Sequence, residues 1–361
     1  MNGYPGRGGS ASALGRPEEW EPASPIVMPG QAEPTIYDVA RVAGVSPSTV
    51  SRALSKPGRV SYKTAEHVRQ VAQQLGYRTG RMERTLSERG TGMLGIIVAD
   101  IANPVFFGVI RGAERAASDL SFTMLVVETQ ESGDAERAAL DRLIPVVDGV
   151  ILSSSRMSDS AIRSVAKRTP LVLLNRMVNE VASVVSDNAY AITNAAEHLV
   201  ELGHTSICYL AGPEASWADG ARWRGLKKVG VELDLQVRRL GPFLPTMRGG
   251  AAAVEQWMLR PSTAVIAYND LMAIGFLQAV KAAGWLVPRD VSVIGFDNIV
   301  DSVLVEPHVT TIAAPLISLG SAAVWHLLQR SGRLPGQADE PVVLPARLVV
   351  RGSTGVRQHA S

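Results

Sequence analysis

The sequence contains a single cysteine in 361 residues, which excludes an internal disulfide, and aromatic residues make up only 5%. That cysteine, Cys208, lies in the apolar run SICYLAG, where a buried structural thiol is expected. No run of about 18 uninterrupted apolar residues is present to span a bilayer, so no membrane segment is expected. Residues 1–34 are rich in Gly, Pro, Ser and Ala but lack the apolar core and basic flank of a secretory signal. They read as a disordered tail, and together these features suit a reducing cytoplasm. The six histidines form neither an H-E-x-x-H motif nor a Cys/His cluster, so neither a metal nor a cofactor is expected. No serine occupies a G-x-S-x-G elbow, which leaves catalysis without positive support. GTGMLG at residues 90–95 matches a dinucleotide-binding expression, but its glycines precede a strand instead of following one, and they fit a flexible join better.

What is there points to a globular protein of two or three units, 46% hydrophobic and long enough for a sizeable core. Its net charge of +2 hides an asymmetry. Residues 35–90 hold ten Lys/Arg against four Asp/Glu, which is +6 and leaves −4 for everything else. A compact basic segment on a slightly acidic body is the footprint of a nucleic-acid-binding module, the alternative being a solvated charged surface.

Within that segment, TIYDVARVAGVSPSTVSRAL carries two short apolar patterns. Ile36, Val39, Ala40 and Ala43 follow helical spacing, and Gly44 supplies a left-handed stop. Ser46 is an N-cap, Pro47 suits the first helical position, and Val50, Ala53 and Leu54 face inward. Two helices joined by a three-residue turn form a helix-turn-helix, whose second helix enters the DNA major groove by its N-terminal end. Its exposed residues Pro47, Ser48, Ser51 and Arg52 would meet base edges or phosphates, and Thr49 a phosphate. A third helix from Ser61 to Leu75, stopped by Gly76, closes an all-α headpiece over 35–78.

From Met93 onward, short apolar runs alternate with helical patterns: MLGIIVAD, FTMLVVET, GVILSSS, PLVLLN, ASVVSD, SICYLAG, TAVIAYND and SVIGFDN. About ten strands over some 260 residues fit two doubly wound α/β lobes, with a ligand at the carboxyl ends of the strands.

The headpiece segment resembles that of lactose-repressor-type (LacI/GalR) bacterial transcription regulators nearly position by position, and IANPVFFGVIRGAE, HLVELGHTSICYLAGP, YNDLMAIG and SVIGFDN extend the resemblance to about Gly355. It implies a periplasmic-binding-protein-like core over 92–355, with lobe 1 at about 92–187 and 313–341 and lobe 2 at about 188–312 and 342–355, before a tail at 356–361. It also implies a hinge helix over 79–91 that folds on DNA and wedges Leu86 into the minor groove. Thr79-Gly80 and Glu83 depart from the family pattern there, and a carboxylate at 83 would oppose binding.

By the same resemblance the protein is a repressor, not an enzyme, binding a pseudo-palindromic double-stranded operator as a homodimer. A small effector between the lobes shifts their orientation and releases DNA, or in some relatives strengthens its binding. Arg222, Asn269 and Asp297 match the family's principal effector contacts, with Asp100, Arg176, Trp217 and Phe243 at less specific positions. Asn103, Phe106, Asn175 and Asp187 complete the set of strand-end residues expected at the cleft. Carboxylates, amides and guanidiniums bond adjacent sugar hydroxyls while aromatic rings cover apolar sugar faces, so a carbohydrate is expected. A purine corepressor is the alternative. Trp217 or Trp223 could instead fill core space, and Trp223 is expected there. An enzyme with an accessory DNA-binding module and an exported sugar-binding protein are the rival classes, opposed by the missing phosphate loop and export signal.

Overall fold

A computed structural model describes residues 35–55, 60, 62–75, 90–335 and 340–358. The N-terminal tail, Ser61, Gly76, and the hinge positions Gly80, Glu83 and Leu86 lie outside the described residues. The chain divides into two compact units, Met1–Arg84 and Thr85–Ser361.

The first unit opens with α1 (Ile36–Ala43), started by Thr35, whose backbone N–H and hydroxyl donate to the Asp38 carboxylate at 2.8 and 2.7 Å. Gly44 ends it at φ 64°, a conformation that a Cβ would strain. Next come α2 (Pro47–Ser55) and α3 (Tyr62–Gln74). Val39, Ala40, Ala43, Val50, Ala53, Val68, Val71 and Ala72 form a small core, with Ile36 and Leu75 packed at its edge.

The second unit contains two sheets. The first is built from β1 (Met93–Val98), β2 (Thr123–Glu128), β3 (Val150–Ser153), β4 (Leu171–Leu174), β5 (Ser183–Ser186) and β11 (Val342–Leu344). Their order is β11-β5-β4-β3-β1-β2, and all pairs are parallel. Helices α4 (Val105–Asp119) and α11 (Leu316–Arg330) cover one face; α5 (Gly133–Leu143) and α6 (Asp159–Ala166) cover the other. The second sheet has β6 (Ser206–Leu210), β7 (Gln236–Leu240), β8 (Ala264–Ala267), β9 (Ser292–Phe296), β10 (Thr310–Ala313) and β12 (Arg347–Val349), ordered β12-β10-β9-β8-β6-β7 with β12 antiparallel. It is covered by α7 (Asn188–Glu201) and α8 (Trp217–Glu232) on one face and by α9 (Met247–Met258) and α10 (Asp270–Ala282) on the other.

Both lobes therefore repeat the doubly wound order 2-1-3-4-5, with helices over both faces making the strands nearly continuous apolar runs. The exceptions are the edge strands, among them β2, whose Val126 is 39% exposed, and β7, which reads QVRRL. The chain passes between sheets three times, after β5, after β10 and between β11 and β12. The third passage corrects the sequence expectation: Val342–Leu344 pairs with Val184–Ser186 and completes the first sheet, so the crossing follows Leu344 instead of preceding Val342. The expected flexible join at residues 90–95 is also corrected. Thr91 and Gly92 donate their backbone N–H groups to the Asp148 carboxylate at 2.7 and 2.8 Å, and Arg333 pairs with it at 3.2 Å.

Candidate functional site

In the headpiece, the Ser46 hydroxyl accepts the Thr49 N–H at 3.2 Å and so caps α2, which Pro47 opens. The hydroxyls of Ser48 and Thr49 each lie 2.9 Å from that of Ser46. Ser48, Ser51 and Arg52 are exposed, while Pro47 and Thr49 are half-buried. Arg52 folds back along its own helix, its Nε donating to the Ser48 carbonyl at 3.1 Å and Nη2 to the Ser48 hydroxyl at 3.2 Å. The helix start thus presents hydroxyls and a guanidinium together, the groups that bond phosphates and guanine edges.

In the second lobe, the carboxyl ends of β6, β8 and β9 bring Arg222 and Asp297 together. The Arg222 guanidinium stacks 3.4 Å from the Phe296 ring centroid and 5.0 Å from that of Tyr268. Its Nε donates to Asn188 Oδ1 at 3.1 Å, Nη1 to the Tyr268 carbonyl at 2.5 Å, and Nη2 lies 3.8 Å from Asp297. Asp297 is almost fully buried with φ 106°, and its neighbour Asn298 has φ 59°, two consecutive strained residues costing roughly 1–3 kcal/mol each. Burial raises the Asp297 carboxyl to about 7 against the opposing pull of Arg222. Beneath it, Asp270 is raised to about 8 by burial and by the charge of Asp297. Gly295 makes room for that acid, because a Cβ there would stand 2.1 Å from Asp270 Oδ1. Asn269 caps α10, accepting the Met272 N–H at 2.9 Å, and its amide donates to the Pro245 carbonyl at 3.0 Å. Phe243 and Tyr268 are half-buried against the same lobe's core.

The other expected residues are placed as follows. Phe106 is 4% exposed, in the cluster that also takes in Ile299 of the second lobe. Arg176 turns to its own lobe and ties down the loop after β3, donating to the carbonyls of Ser155 and Met157 at 2.8 and 2.7 Å and to Asp159 at 2.6 Å. Asn103 accepts the Val105 N–H at the start of α4, and Asp187 accepts the Tyr190 N–H as the cap of α7. Asp100 closes its own turn onto Ala102, and Asn175 holds a left-handed turn at φ 58°. Trp217 opens α8 half-buried; Trp223 packs on the second-lobe core, stacked 6.1 Å from Tyr209.

Residues outside the expected set lie beside the expected ones. Asn188, Tyr268 and Phe296 hold Arg222, the last two within the YND and GFDN motifs themselves. Ser153 and Ser186 end β3 and β5 with buried hydroxyls that have no partner among the described residues, and Arg176 Nε has none among them either. Such atoms are uncommon in folded proteins, and at strand ends where ligands bind they mark free hydrogen-bonding capacity. Cys208 is buried, which pushes its thiol up to about 11 and makes it inert. Among the described residues, no group of three or more His, Cys, Asp or Glu is placed to hold a metal, and no helix is long and apolar enough to cross a membrane.

Comparison with known proteins bears on the family and the fold. Residues 35–80 match the family model described as bacterial regulatory proteins, lacI family, and residues 196–354 match one described as a periplasmic binding protein-like domain. The chain is 34% identical over 331 residues to the HTH-type transcriptional repressor CytR of Escherichia coli, covering 89% of this chain and 96% of the relative. It is similar to the lac repressor dimer bound to operator and the anti-inducer ONPF, with TM-score 0.73, 28% identity, and coverage of 90% and 100%. A complex of the transcriptional regulator CelR with cellobiose gives TM-score 0.67 at 27% identity, covering 89% and 99%.

Proposed function

The chain belongs to the lacI family of bacterial regulatory proteins, a DNA-binding transcriptional regulator and not an enzyme, and from that premise we propose that it represses transcription from a pseudo-palindromic operator as a cytoplasmic homodimer, under control of a sugar bound between its lobes. The observation that carries the DNA-binding half is the capped start of α2, where Ser48, Ser51 and Arg52 stand exposed in a segment of net charge +6. Arg52's two bonds to Ser48 are intrahelical and solvent-facing, so a guanine edge can replace them. The relatives support the operator, the dimeric state and the carbohydrate class, since one neighbour holds operator DNA as a dimer and another cellobiose. For dimerisation, the second lobe exposes Leu244, Met247, Val300 and Leu304, apolar side chains with much to gain from a partner surface.

The effector half rests on Arg222 and Asp297, a cation stacked on an aromatic face beside a carboxyl, which can bond neighbouring hydroxyls of one sugar. Leu86, in the hinge, is proposed to insert at the operator centre. Selection from a randomised duplex pool by the full chain tests this reading: a two-fold symmetric motif with salt-sensitive affinity is expected, and no enrichment at any salt or sugar condition would overturn it. In the same assay, Arg52→Ala is expected to cost about 1–3 kcal/mol in operator binding and to relax preference at one base position per half-site.

A further inference from the structure

Two side chains of the second lobe belong to the first lobe's core. Ile299, 5% exposed, is a member of the cluster formed by Val98, Ala99, Phe106, Val172 and Leu174, and Leu271 packs against the same cluster. Ile299 follows the strained pair Asp297 and Asn298, so one three-residue turn carries an effector-site acid at its start and a cross-lobe contact at its end. Strain of this kind persists only where the surroundings over-determine it. Here they do. Asp270 accepts the Ile299 N–H at 2.9 Å and the Thr311 hydroxyl at 2.5 Å, and Asp297 N–H donates to the Ile312 carbonyl at 2.8 Å. Arg351, just beyond β12, donates to Asn298 Oδ1 at 2.5 Å while its other guanidinium nitrogen holds the Ser302 hydroxyl and the Val309 carbonyl at 3.0 and 2.7 Å.

We propose that Arg351 and Asp270 are positioning residues that lock the 297–299 turn into one rigid piece, so that a ligand contact at Asp297 and the seat of Ile299 in the opposite lobe move together. The turn is then the part that converts cleft occupancy into lobe position. Its regulatory meaning rests on the regulator reading above; its mechanics do not, since locking and cross-lobe seating are properties of the chain without DNA or sugar. A residue that only stabilised the second lobe would leave the first lobe's dynamics alone.

Amide hydrogen exchange on the full chain, without DNA or effector, separates the two. Ile299→Ala and Arg351→Gln are each expected to raise exchange about tenfold in the first-lobe segments 98–106 and 171–174, with edge strand β2 unchanged, and the double variant is expected to go no further than either one. Arg351→Lys, which keeps a donor, is expected to restore part of the protection. First-lobe exchange at the wild-type level in Arg351→Gln, or effects that add in the double variant, would overturn the proposal. Should Arg351→Gln unfold the second lobe, Asn298→Gly removes the same tether while tolerating the left-handed backbone, and the same two outcomes decide. Because no DNA is present, failure here is distinct from failure of the operator selection.

Discussion

The two lobes share one strand order, yet they differ in how fully the polar groups at the carboxyl ends of their strands are bonded. In the second lobe Arg222, Asn269, Asp270 and Asp297 are all engaged, by aromatic faces, backbone carbonyls and one another. The first lobe ends β3 and β5 with serine hydroxyls that have no partner among the described residues, while its Arg176 holds a loop. The named groups of the second lobe are pre-organised, and the first lobe keeps two hydroxyls with capacity to spare. A ligand settling on the second lobe would find its partners already oriented, and its remaining groups would satisfy the first lobe only as the lobes close, so that closure has a free-energy source specific to the ligand.

The strongest way to break this contrast is to remove the keystone of the ordered side. Arg222→Ala leaves Asp297 buried without its cation and Asn188 without its donor, and is expected to destabilise the protein by about 3 kcal/mol in denaturant unfolding while abolishing effector binding by calorimetry. The loss should shrink in acid, where Asp297 takes up a proton. A smaller effect follows from the two raised acids. With Asp297 near 7 and Asp270 near 8 in the fold against 3.8 for a free carboxyl, the native state holds protons that the unfolded chain has released. Their contribution is complete below about pH 4 and declines as pH rises through 8. Asp270→Asn is expected to flatten that decline in thermal unfolding measured from pH 5 to 9. His204, buried and bonded to Thr263 and Ser292, has its pKa lowered by burial, so it withdraws stability in the opposite direction, as pH falls below about 6.5.

The mildest test addresses the unsatisfied side. Ser153→Ala and Ser186→Ala delete hydroxyls without a partner among the described residues, and each is expected to change stability by less than about 1 kcal/mol, toward stabilisation if at all. Effector affinity should nevertheless fall. A clear loss of folding stability in either variant would mean that the hydroxyls already have partners and that the lobes do not differ in this way.

Much of the architecture was legible because its signals are local. Gly44 at φ 64° and the Ser46-Pro47 cap lie within three residues of the helix ends they define, and buried strands announce themselves by continuous apolar runs. Edge strands were harder: β7 reads QVRRL, and β11 and β12 are three residues each, too short for a pattern to stand out. Site residues divided along the same line. Asn103, Asp187 and Asn269 are polar residues at strand ends by pattern, but all three turn their side chains to the start of the following helix. The Arg176 side chain holds a loop, and Phe106 joins a cluster shared with Ile299 of the second lobe, neither of which the strand pattern encodes.

The order of amino acids alone determined where helices stop and restart, which runs are covered on both faces, and that a basic headpiece precedes an α/β body, since each depends on neighbours a few positions away. Which groups at the cleft are taken and which are left open was decided by the folded arrangement. Arg222 meets Asn188 and Tyr268 across separations of 34 and 46 residues, and Ile299 reaches a core built by the other lobe. Those partners come together only when the strands of a lobe are wound into their sheet and, for Ile299, when the two lobes meet, and no periodicity along the chain specifies which side chain will then be nearest.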